Sequence, residues 1–155
     1  MLKAVFFSTF AIAGAMTGAA SAQDAAAGEE LFRSCKACHS INNGDEVIVR
    51  GGRSGPNLFG VIGRQAGSYD GFRFGNDLVA AGEAGLVWTE ESLAEFVANP
   101  TGYLRTYLDD GGARSKMSYK LRSGGLDMAA YLASLSPMME MEMGMDGESD
   151  SAPSN

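Results

Sequence analysis

At 155 residues, with 45% apolar and 20% charged side chains, the chain is long enough for one compact domain and too short for a large multidomain enzyme. A formal net charge of -7 argues against a general nucleic-acid binder, which needs a basic face to neutralise phosphates. Two Cys and one His exclude a disulfide-rich scaffold and leave a four-ligand zinc site incomplete.

The first 22 residues read as an export signal. Lys3 is the only charge before Asp24, the stretch from Ala4 to Met16 is almost wholly apolar, and Ala20-Ser21-Ala22 fits the small-residue rule for cleavage after Ala22. The apolar run is too short for a permanent membrane span. A periplasmic protein is the expectation, with its folded domain over residues 23–136. Residues 137–155 hold five Met and five acids with no Lys, Arg or aromatic, a composition expected to stay disordered. The folded part carries 11 basic and 14 acidic residues, so it is only mildly acidic.

Within residues 23–136 the pattern is helical. Asp24 is placed to cap a helix over Ala25–Cys35, with Gly28, Leu31 and Phe32 on one face. Residues 40–69 are dense in turn signals and read as loop, apart from a short Val-Ile-Val at 47–49. Thr89 is a good cap for a helix over Glu90–Ala98, whose leading acids suit the positive end of the helix dipole. Pro100 ends that helix and opens another, with Asn99 as cap. A last helix from about Gly125 to Leu135 gathers Met128, Tyr131, Leu132 and Leu135 on one side. The expected fold class is all-α, a small helical domain with long loops. Loops of that length need something to organise them.

Residues 35–39 supply it. Cys35-Lys36-Ala37-Cys38-His39 has the C-x-x-C-H spacing of covalent c-type haem attachment. Thiols at i and i+3 on a helical turn point the same way and reach adjacent vinyl groups of one haem, while the following His reaches the iron. A redox C-x-x-C would sit near a βαβ pattern, which is absent, and a zinc site lacks ligands; a structural disulfide remains open. The second axial position decides between electron transfer and ligand binding. No other His exists, so Met is the candidate. Of the nine Met, Met117 and Met128 alone fall within the folded part. Met128 sits on an apolar helix face, where packing is the expected role, whereas Met117 lies in a loop able to cover the other haem face.

With these residues in hand, the chain resembles the class I cytochromes c, the periplasmic bacterial electron carriers similar to mitochondrial cytochrome c. The resemblance runs from about Asp24 to Ser136. Its landmarks come in order: Gly28 and Phe32, CKACH, Gly55-Pro56-Asn57-Leu58-Phe59-Gly60, Gly63-Arg64, Tyr69, Trp88-Thr89, Asn99-Pro100, Lys116-Met117 and Ala129-Ala130-Tyr131-Leu132. It implies the cytochrome c fold with loops wrapped around one covalently bound haem c, and a one-electron carrier rather than an enzyme. It further implies that the Pro56 carbonyl meets the far nitrogen of His39. Arg64, Tyr69 and Trp88 would receive the haem propionates, and Gly28 and Phe32 would cross Met128 and Tyr131. One departure is Phe96, where many relatives place a Tyr whose hydroxyl approaches the ligand sulfur. The segments 41–54 and 71–86 look longer than in the shortest relatives.

The stretch 114–122 holds Arg114, Lys116, Lys120 and Arg122 and no acid, and Arg33 and Lys36 flank the haem motif. The expectation is a monomer that docks through these residues on acidic patches of membrane redox complexes: a bc-type complex as donor, and a terminal oxidase, reductase or reaction centre as acceptor. Two other readings compete. One is a haem enzyme or gas sensor with a labile Met117; the other is copper handling by the Met-rich tail, whose thioethers suit Cu(I).

Overall fold

The computed structural model describes residues 23–136; the export signal expected at 1–22 and the acidic Met-rich segment 137–155 lie outside the described residues. In chain order the elements are α1 (Ala25–Phe32), β1 (Ile41–Asn43), β2 (Glu46–Val49), α2 (Asn76–Glu83), α3 (Glu90–Ala98), α4 (Pro100–Tyr107) and α5 (Gly125–Ser134). None of these helices is long and apolar enough to cross a membrane.

The frame is set where the first and last helices cross. Asp24 caps α1, its Oδ1 accepting from the Ala26 and Ala27 amides at 2.9 and 3.1 Å, and its own amide donates to Asp127 Oδ1 at 3.0 Å. Gly28 then lies against α5 so closely that a Cβ there would run into the Asp127 carbonyl. Phe32 packs on Tyr131 with ring centroids 5.7 Å apart. Phe32 and Leu132 are each 1% exposed, and burying such a side chain fully contributes about 1.5–3 kcal/mol. Helix α3 also packs on α5.

Helix α3 keeps the bounds expected from its sequence. Thr89 Oγ1 accepts from the Ser92 amide at 3.1 Å and Ser92 Oγ accepts from the Thr89 amide at 2.8 Å, a reciprocal cap in which Ser92 takes the place more often held by Glu or Gln. Pro100 opens α4 at its first position as expected, but Asn99 makes no side-chain cap bond there. Helix α5 ends at Ser134, a residue before the expected bound.

Three further features depart from the sequence reading. Helix α1 stops at Phe32 rather than reaching Cys35, because Ser34 Oγ bonds the Leu31 carbonyl at 2.8 Å and the chain tightens into successive turns. The Val-Ile-Val signal at 47–49 lies in β2, but residues 41–43, expected as loop, pair with it in an antiparallel hairpin, with Gly44 at φ 58° in the first central position of the turn. Helix α2 also lies where loop was expected. It starts at Gly75 without a side-chain cap, and it carries Gly82 internally because the Ala66 carbonyl passes where a Cβ would stand.

Candidate functional site

The turns after α1 shape the Cys35–His39 segment. The Cys35 carbonyl accepts from both the Cys38 amide at 3.1 Å and the His39 amide at 3.0 Å, which folds the five residues into one compact turn. Cys35 is half-buried, Cys38 is exposed, and the two form no disulfide. Burial pushes the Cys35 thiol up.

The glycine-rich stretch 51–55 is laid directly on that turn. The Gly52 amide donates to the Lys36 carbonyl at 2.9 Å and the Gly55 amide to the Cys38 carbonyl at 2.8 Å. A Cβ on Gly51 would meet the His39 carbonyl, and one on Gly55 would run into the His39 ring itself. These glycines therefore exist for close approach, a role that turn propensity alone does not reveal.

His39 is held from behind. Its Nδ1 lies 2.8 Å from the Pro56 carbonyl oxygen. A carbonyl has no proton to give, so Nδ1 carries the hydrogen and Nε2 is left with the free lone pair. Burial pushes the imidazole below its usual range, and the Pro56 carbonyl pulls partly the other way. The ring is thus presented neutral, the form that binds metals.

Arg64, Tyr69 and Trp88 come together on another wall. The Gly63 amide donates to the Trp88 carbonyl at 2.8 Å and the Trp88 amide to the Arg64 carbonyl at 3.0 Å, a short antiparallel pairing that fixes both residues. The Arg64 guanidinium lies 4.9 Å over the Tyr69 ring. Its N–H groups also donate to the carbonyls of Asn57, Phe59 and Gly60, so this side chain holds the 57–60 loop in shape. Asn57 is a residue whose part the sequence reading missed. Its Oδ1 accepts from the Asn42 amide at 2.9 Å and its Nδ2 donates to the Asn42 carbonyl at 2.8 Å, sewing the hairpin to the loop that carries Pro56.

Met117 lies on the loop between α4 and α5. The Arg114 amide donates to Asp77 Oδ2 at 2.7 Å, and Lys116 Nζ donates to the Arg73 and Phe74 carbonyls at 3.0 and 2.9 Å. Downstream, the Leu121 amide donates to the Val97 carbonyl at 2.8 Å. Met128 is 2% exposed in α5, within the core.

Cys35, Cys38, His39, Pro56, Arg64, Tyr69, Trp88 and Met117 all border a single cavity of about 400 Å³. Much of the remaining wall is apolar, with Leu58, Val61, Leu78, Leu93 and Leu132 among its side chains. Phe96 borders it too, its ring centroid 5.0 Å from that of Trp88. The cavity fits a large flat apolar group with a covalent anchor: two thiols at its edge, a neutral imidazole whose position needs Gly55, and a thioether on a separate loop.

Fold and cavity together define a small helical protein whose loops close over a prosthetic group. No family model matches the chain. It is 58% identical to cytochrome c-551 of Roseobacter denitrificans over 133 residues, covering 83% of this chain and 95% of that protein. It is 50% identical to cytochrome c2 of Rhodobacter capsulatus over 117 residues, covering 75% and 85%. The solved structure of the Rhodobacter capsulatus cytochrome c2 superposes with a TM-score of 0.71, covering 72% of this chain and 97% of that one. The chain belongs to the class I c-type cytochromes. It has the cytochrome c fold and carries one covalently attached haem c; it is an electron carrier and not an enzyme.

Proposed function

We propose that this chain is a soluble periplasmic one-electron carrier whose haem is held through Cys35 and Cys38 and ligated by His39 and Met117. What supports the reading is the meeting of these four side chains at one largely apolar cavity, with His39 already fixed by Pro56. Bound there, the haem supplies a ferric–ferrous couple. The chain's own part is to hold that couple still and dry. Pro56 fixes the imidazole tautomer and raises its basicity, as a partner behind a ligating His does. The apolar wall keeps water out, and Trp88, Tyr69 and Arg64 form the polar side able to receive the propionates.

Residues 1–22 serve in this reading as an export signal cleaved after Ala22. The partners are membrane redox complexes: a bc-type complex as donor, and a terminal oxidase, reductase or reaction centre as acceptor. Lys36, Arg114, Lys116, Lys120 and Arg122 are all exposed and carry the docking charge. Arg33 contributes less, because its guanidinium pairs with Glu30 at 2.7 Å.

Visible spectra of the reduced protein with and without carbon monoxide test the ligation. The expected result is a six-coordinate low-spin spectrum indifferent to carbon monoxide. Met117→Ala should then bind it, while Met128→Leu should not. A native protein that binds carbon monoxide would replace the carrier reading with a gas-binding one.

A further inference from the structure

Met117 is tethered unequally on its two sides. On the upstream side the loop is fastened by Asp77 and by the Lys116 ammonium on the 73–74 carbonyls. On the downstream side, among the described residues, a single side-chain bond ties residues 117–120 to the rim that carries the cysteines. The Tyr119 hydroxyl donates to Ser34 Oγ at 2.9 Å, across 85 positions of sequence. Ser34 passes the bond on, donating to the Leu31 carbonyl at the end of α1 at 2.8 Å. Both residues border the cavity, Ser34 directly beside Cys35 and Tyr119 two positions after Met117.

We propose that Tyr119 and Ser34 form a clasp that closes the Met117 loop over the cofactor cavity and so sets how readily Met117 gives way to an outside ligand. The clasp rests on the reading of Met117 as an axial ligand. Its geometry explains why the residue pair matters where a packing contact would not. Tyr119 is 43% exposed, so its ring adds little to the core, and the hydroxyl is the part that reaches the opposite rim. With the bond made, the loop is pinned on both sides of Met117; without it, Met117 is held only from upstream, by Lys116 and by its own amide on Ser115 Oγ, and, among the described residues, 118–120 keep no side-chain hydrogen bond before Leu121. Tyr119 and Ser34 are positioning residues, acting on the iron only through Met117.

The test uses the haem-loaded full chain and imidazole as the incoming ligand of the ferric protein. Tyr119→Phe keeps the ring and removes the donor; Ser34→Ala removes the acceptor. Each should raise imidazole affinity about two- to fivefold, the size of one exposed hydrogen bond. Amide hydrogen exchange at residues 117–120 should quicken by a similar factor. The double variant should do no more than Ser34→Ala alone, since both single variants remove the same Tyr119–Ser34 bond and Ser34→Ala also gives up the bond to the Leu31 carbonyl. Wild-type affinity and exchange in both single variants, or effects that simply add, would overturn the clasp. Met117→Ala separates the two claims. If it leaves the spectrum unchanged, the ligation reading falls and takes the clasp with it; if it opens the site while Tyr119→Phe and Ser34→Ala behave as wild type, only the clasp falls.

Discussion

At the scale of single residues, the site depends on what is missing as much as on what is present. Gly55 has no side chain because the His39 ring occupies the space, with Cε1, Nδ1 and Nε2 all within contact of a would-be Cβ. A methyl there has only two outlets: it turns the imidazole away from Pro56, or it pushes back the loop whose amide bonds Cys38. Gly55→Ala should therefore lower the yield of covalently loaded, low-spin protein severalfold on expression with the attachment machinery. The measurement is the haem-to-protein ratio of purified material, and a normal ratio with a normal spectrum would show that the ring has room. The residue scale is also where the sequence spoke most clearly. CKACH is a local pattern, and of the two Met in the folded part the sequence favours Met117 because it lies in a loop, although both border the cavity. Asn57, Gly51 and Ser34 gave no such signal, because each acts on a partner far along the chain.

At the scale of elements, legibility followed the reach of the forces involved. Helix α3 could be bounded from the sequence because its start and stop are made by neighbours, Thr89 with Ser92 at one end and Pro100 at the other. Helix α2 could not, because it begins without a side-chain cap, contains Gly82, and is held by packing against residues that the sequence does not place beside it. The hairpin pairing of β1 with β2 escaped for a similar reason. Its strands have three and four residues, and its polar Asn42 is satisfied by the distant Asn57. The α1–α5 crossing gives the sharpest prediction at this scale. Gly28→Ala places a methyl against the Asp127 backbone and the Tyr131 Cβ, both of which are fixed by their helix. It should destabilise the protein by about 1–3 kcal/mol, read as a lowered denaturant midpoint. A midpoint equal to wild type would mean that the helices shift apart without loss.

At the scale of the whole molecule, net charge and local charge point in opposite directions. The described residues are mildly acidic, yet the segment 114–122 presents four exposed cations and no anion, with Lys116 bordering the cavity. Long-range steering depends on that local field and fades with salt. Lys120 is the cleaner residue for testing it, since the Lys116 ammonium also fastens the loop and its replacement would disturb two things at once. Lys120→Glu should slow bimolecular electron transfer with an isolated bc-type complex several-fold at low ionic strength and much less at high. Equal rates for both proteins across that range would remove the segment from the docking surface.

The bond between the Asp24 amide and Asp127 spans 103 positions, and the burial of Phe32 waits on Tyr131. This fixes an order of events in time. While the chain is being made, α1 has no surface to fold against until α5 has emerged, since contacts so distant in sequence form only after the intervening chain exists. The cavity that the cysteines border lacks its Met128 and Leu132 wall for the same interval. A chain with its anchor near one end and its lid near the other keeps its doorway open until it is finished, and shuts it last.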